Sequence, residues 1–83
     1  MARTTHTVCL SSFTNPHEQR VHQVMLDGMP ITREFHGFEG LVTCEQVAYA
    51  EYAKLTTATL TRWDGDSREE IIVESKQRGV CAA

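Results

Sequence analysis

The chain has 83 residues, 41% hydrophobic and 23% charged, and a formal net charge of −3 from eleven acidic residues against eight Lys and Arg. One domain fits that length, with a thin core, because a chain this short buries only roughly 60% of its unfolded surface. The composition is too apolar for a disordered tail, no apolar run approaches the ~20 residues of a membrane helix, and the acidic balance argues against direct nucleic-acid binding by phosphate neutralisation.

Residues 1–4 read as a loose end. The N-terminal stretch MARTTHTV has one Arg with no apolar run behind it, so it is not a secretory signal, and a cytoplasmic location is expected. His6 to Phe13 alternates, with His6, Val8, Leu10 and Ser12 on one side and Thr7, Cys9, Ser11 and Phe13 on the other. That period of two, with β-branched residues, predicts a first strand. Thr14-Asn15-Pro16-His17 is a turn signal.

Residues 16–26 admit two conformations. Asn15, Pro16 and Glu18 suit N-cap, N1 and N3 of a helix with Val21, Val24 and Met25 as its stripe. The rival is a hairpin of Arg20 to Leu26 with Met29 to His36, joined by Asp27-Gly28. That dipeptide matches a type I′ turn, which needs positive φ at both central positions, and the hairpin is preferred. Pro30 has no N–H for a ladder, so its strand begins late or lies at an edge.

Gly37-Phe38-Glu39-Gly40 is expected to be a loop. Thr43 to Leu55, TCEQVAYAEYAKL, is the best helix in the chain. Ala48, Ala50 and Ala53 favour helix, Thr43 and Gln46 match a capping box, and Leu41 could staple onto Val47. Cys44, Val47, Ala48, Tyr52 and Leu55 recur at helical spacing and make one apolar stripe. Thr56 to Trp63 alternates as a strand. Asp64-Gly65-Asp66-Ser67 is a second turn, and Arg68 to Ser75, with Ile71, Ile72 and Val73, is a last, partly buried strand. Residues 76–83 read as a loose tail.

The elements run β-β-β-α-β-β. Short connections favour antiparallel neighbours. The expected fold is therefore α+β: a mostly antiparallel sheet of four to five strands with one helix packed across one face, in a single domain spanning 1–83.

No pattern predicts chemistry. His6, His17, His22 and His36 lack the local ligand spacing of a metal site, although His6, Cys9 and His36 could meet across strands. Asp64 to Glu70 resembles a calcium loop only superficially, since Arg68 stands where a ligand belongs and the distal Gly and Glu are missing. Cys9, Cys44 and Cys81 are an odd number, widely spaced, which fits neither a disulfide framework nor a zinc knuckle. Cys44 would sit in the first helical turn, a position that favours thiolate, yet it belongs to the apolar stripe, so burial is expected. Gly37 and Gly40 are too few for a phosphate loop. No catalytic residue, metal or cofactor is expected.

What remains is surface. Trp63 is followed by Asp64, Asp66, Glu69 and Glu70. Tryptophan is a frequent interface anchor, and carboxylates around it would steer the chain to a protein partner with a basic surface. The bland alternative is a Trp that ends a strand and covers the core. In size, acidity and element order, with the Asp27-Gly28 hairpin and the Thr43 to Leu55 helix, the chain resembles the small anti-CRISPR proteins of phages and mobile elements. The resemblance covers His6 to Ser75 and carries no diagnostic motif, so it transfers no functional residue. It implies a non-catalytic inhibitor that docks on a CRISPR surveillance complex and blocks nucleic-acid binding or nuclease recruitment. The alternatives are a small homodimeric regulator or toxin–antitoxin partner, pairing through an exposed sheet face or the Arg68 to Ser75 strand, and a small thiol or metal enzyme. Monomer and homodimer both stay open, and no membrane contact is expected.

Overall fold

Alternation and turn chemistry build the first half of the sheet. The computed structural model describes residues 5–77. Strand β1 (His6–Thr14) runs antiparallel to β2 (Arg20–Leu26), from Val8 opposite Leu26 to Thr14 opposite Arg20. Asn15 makes the turn between them: its side-chain oxygen accepts the backbone N–H groups of His17 and Gln19, both at 2.9 Å. Residues 20–26 are therefore strand, and Asn15 is a turn residue instead of a helix cap.

Asp27 and Gly28 then reverse the chain at φ 52° and 84°, the positive pair that a type I′ turn requires. Asp27 also ties this turn to β1. Its Oδ1 accepts the Thr7 N–H at 2.9 Å, and its Oδ2 meets His6 Nδ1 at 2.7 Å. The His6 hydrogen bond, followed by that from Thr7, holds the Asp27 carboxyl below its ordinary range.

The expected strand at 29–36 forms in two short pieces along the outer side of β2. They are β3 (Met29–Pro30), opposite Met25 and Leu26, and β4 (Phe35–His36), opposite Val21 and His22. Pro30 lies on the edge, where its missing N–H deprives no neighbour. Between the two pieces the Thr32 hydroxyl accepts the Val24 N–H at 3.0 Å, a side-chain substitute for the interrupted ladder.

Helix α1 (Gly37–Lys54) begins at Gly37, not at Thr43, so the expected loop is its first turn. Gly40 is recruited for proximity. A Cβ there would lie 2.8 Å from both the carbonyl carbon and the Cβ of Phe35. Packing against β4 thus overrides the poor helix propensity of glycine. The capping box does not form, because Thr43 is inside the helix, where its hydroxyl donates to the Glu39 carbonyl at 3.0 Å. The apolar stripe holds: Cys44, Ala48 and Tyr52 are buried, and Leu41, Val47 and Leu55 pack against the core.

Strands β5 (Thr57–Asp64) and β6 (Glu69–Gln77) complete the sheet as an antiparallel pair. The order is β3-β2-β1-β5-β6, with β4 also on β2. The fold is α+β with one helix, but its six-stranded sheet is mixed. Its central pair, β1 with β5, is parallel, with Val8 opposite Leu60. Strands that follow one another in sequence do pair antiparallel, as expected (β1 with β2, β2 with β3, β5 with β6), and the one parallel pair joins strands far apart in the chain. The crossover through α1 is long enough to bring β5 back alongside β1 in the same direction. Lys76 and Gln77, placed in the tail by sequence, pair with Ala58 and Thr57 in β6. The expected loose ends at 1–4 and 78–83 lie outside the described residues. The core sits between the helix and one sheet face: Val8, Leu10, Val24, Ala58 and Leu60 against Cys44, Ala48 and Tyr52.

Candidate functional site

The helix contacts β1, β2, β4 and β5, while β6 forms the outer edge. It covers the side of the sheet carrying Val8, Leu10, Val24 and Leu60. Alternation sends Thr7, Cys9, Ser11, Gln23, Met25, Thr61 and Trp63 to the opposite face, which no helix among the described residues covers. On that open face, Thr7, Cys9, Ser11, Met25, Trp63 and Glu70 line a shallow groove of about 350 Å³. Trp63 is half-buried there, away from the helix-side core, so its indole surface is shared between the sheet and solvent.

The strand period splits the carboxylates that sequence places around Trp63. Glu70 lies directly opposite Trp63 and shares the open face. Asp64 lies opposite Glu69, and both belong to the other side. There they border a second groove, of about 260 Å³, together with Leu10, Ser12, Arg20 and Arg62, and the Trp63 side chain reaches its rim as well. Asp66 sits in the β5–β6 turn.

Asp64 and Asp66 are engaged within the fold. Arg20 reaches Asp64 at 3.2 Å and Asp66 at 2.6 Å. Asp66 also accepts the Thr14 N–H at 3.0 Å and the Thr14 hydroxyl at 2.5 Å, which fastens the end of β1 to the turn. Asp64 accepts the backbone N–H of Asp66 at 2.9 Å. The Arg20 hydrogen bond, then that N–H, holds the Asp64 carboxyl below its ordinary range. The Thr14 hydroxyl and N–H do the same for Asp66. Glu69 and Glu70 are exposed and make no ion pair among the described residues. Of the carboxylates read from sequence, these two keep their charge available, and only Glu70 shares a face with Trp63.

The other candidate centres do not assemble. His6 lies on the helix side of β1, opposite Ala58, whereas Cys9 is on the open face, and His36 is at the outer edge on β4. Among the described residues no group of three His, Cys, Asp or Glu side chains converges as a metal site would. The segment resembling a calcium loop is a hairpin turn whose first two carboxylates hold Arg20 and Thr14. Cys44 is fully buried in mid-helix, far along from the first turn, and burial pushes its thiol up against the pull of the Thr32 hydroxyl. Cys9 is half-buried and likewise raised by burial, with the Thr61 hydroxyl opposing. Raised thiols are poor nucleophiles at neutral pH.

Cys9, Ser11 and Met25 were not singled out by sequence as surface. The signal was present in the alternation of residues 6–13 and 20–26, but nothing local says which side the helix takes. No protein family, curated protein or solved structure matches the chain. No helix among the described residues is long and apolar enough to cross a membrane.

Proposed function

We propose that this chain is a non-catalytic protein-binding inhibitor that docks through its open sheet face onto a partner with a basic surface. The observation that carries this is the pairing of a half-exposed Trp63 with Glu70, which makes no ion pair among the described residues, over a groove that none of them covers. Trp63 supplies the anchor, Cys9 and Met25 the apolar floor, and Glu70 the steering charge. Asp64, Asp66 and Arg20 act as the frame that holds the β5–β6 turn, and Glu69 borders the contact from the other side of the sheet. The resemblance to small anti-CRISPR proteins gives the partner: a CRISPR surveillance complex in the bacterial cytoplasm, whose Lys and Arg otherwise hold nucleic acid or recruit a nuclease.

The test is an affinity pull-down of the tagged chain from bacterial lysates expressing CRISPR effector complexes, with titration of any complex recovered. Effector subunits should come down in stoichiometric amounts. Trp63→Ala should weaken binding by about 2 kcal/mol, roughly thirtyfold, as loss of an interface anchor does. Glu70→Lys should slow association. Recovery of no effector removes the CRISPR partner. Unchanged affinity in both variants removes the open face as the docking surface.

A further inference from the structure

The two edges of the sheet differ in length and continuity. The β3/β4 edge is broken into two-residue pieces and carries Pro30. Short, interrupted, proline-bearing strands are how a fold blunts an edge against pairing. The β6 edge is nine residues long, contains no proline and, among the described residues, pairs on one side only, with β5. At its centre Ile71, Ile72 and Val73 are 59%, 70% and 39% exposed. Ile71 lies opposite Arg62 on the helix side and Ile72 opposite Thr61 on the open side, so both sides of this edge are apolar. One exposed isoleucine is ordinary, but an exposed apolar run on the free edge of a long strand invites another strand.

The occupant can be read from register. A bulge makes Val73 an extra residue: Leu60 pairs with Glu74, whereas Thr61 pairs with Ile72. The side chains of β6 therefore change parity at its middle. Glu69, Ile71, Glu74 and Lys76 point to the helix side, and Glu70, Ile72 and Ser75 to the open side. Place a second β6 antiparallel about a two-fold axis between Ile72 and Val73. Residue 71 then faces 74, 70 faces 75 and 69 faces 76, and these three pairs match in side, while at the axis Ile72 lies on the open side and Val73, the bulged residue, on the helix side. Without the bulge, none would. The apolar residues meet at the axis, and Glu69 of each copy stands opposite Lys76 of the other, giving a complementary pair at both ends. We propose that β6 is a dimerisation strand and that its occupant is a second copy of this chain in this register, joining the two sheets edge to edge. The proposal does not rest on what the open face binds, although Glu70 belongs both to β6 and to the groove around Trp63.

Sedimentation or light scattering across a concentration series tests it. The wild-type mass should rise toward twice 9.4 kDa. Ile72→Lys, at an exposed site with no role in the core, should remain monomeric. Its association should weaken at least roughly hundredfold, because the substitution falls on both copies. Glu69→Lys and Lys76→Glu should each weaken the dimer by setting like charges opposite, and the double variant should restore it. Circular dichroism confirms that each variant is folded, which matters for Lys76 because its ammonium lies 4.3 Å from the Tyr52 ring centroid. A wild-type mass that stays at 9.4 kDa up to a few hundred micromolar overturns the dimer. A dimer indifferent to Ile72→Lys overturns the role of β6. Failure of the charge swap to restore association in the folded double variant overturns the register.

Discussion

Gly40→Ala sets helix propensity against packing, and the structure decides the sign. Gly40 is the fourth residue of α1, and alanine there gains about 1 kcal/mol of intrinsic helix preference. The added methyl, however, would lie 2.8 Å from the Phe35 carbonyl carbon and 2.8 Å from its Cβ. Neither is the free end of a flexible side chain, so α1 and β4 must separate. Overpacking of this kind costs typically 1–3 kcal/mol, and contact with backbone atoms places it at the upper end. Moving Phe35 also disturbs its pairing with His22 in β2. The net expectation is a loss of about 1–2 kcal/mol, which in a domain of this size lowers Tm by roughly 4–8 °C per kcal/mol. Urea unfolding followed by far-UV circular dichroism measures it, with exposed Ala50→Gly as the propensity control at about 1 kcal/mol of destabilisation. If Gly40→Ala equals or exceeds the wild type in stability while Ala50→Gly falls, the close approach of α1 to Phe35 is not what selects glycine.

Gly28→Ala should cost about 1 kcal/mol through the backbone alone, since φ is +84° and nothing lies within 4 Å of the new methyl; a change in the slope of the urea curve instead of its midpoint would refute that account. His22 is buried, with its Nδ1 2.7 Å from the Ser12 hydroxyl, and burial, then the nearby Arg20, depresses its pKa against the opposing pull of Glu45. Its contribution is therefore fully present above the ordinary value of 6.5 and is lost as pH falls through the lower folded value. The wild type should lose more stability than His22→Gln between about pH 7.5 and about pH 5, and equal losses would show that His22 is not the group responsible. Asp64 and Asp66 are held below 3.8, so their contribution is present above that pH and lost below it as they protonate. Asp66→Asn should flatten the acid limb of the stability profile and leave the fold intact, as read by circular dichroism.

The parts legible in the sequence are those whose cause is local. Asp27-Gly28 announces its turn because two successive positive φ values suit few other dipeptides. The stripe of Cys44, Ala48 and Tyr52 announces a helix with one buried side because 3.6-residue periodicity is a property of the segment alone. Residues 6–13 and 56–63 announce strands by alternation. The parts decided only in three dimensions involve residues far apart in the chain. Gly40 reads as a loop glycine until Phe35 is seen against it. The parallel β1–β5 pair depends on how far the helix carries the chain, which no local pattern records. Asp64 and Asp66 read as free acids beside Trp63 until Thr14 and Arg20 claim them. Alternation says that residues 63 and 64 point opposite ways, but only the position of the helix says which of them faces solvent. The burial of one sheet face is a contest among all the strands at once, and its outcome separates Trp63 and Glu70 from the carboxylates that surround them in sequence.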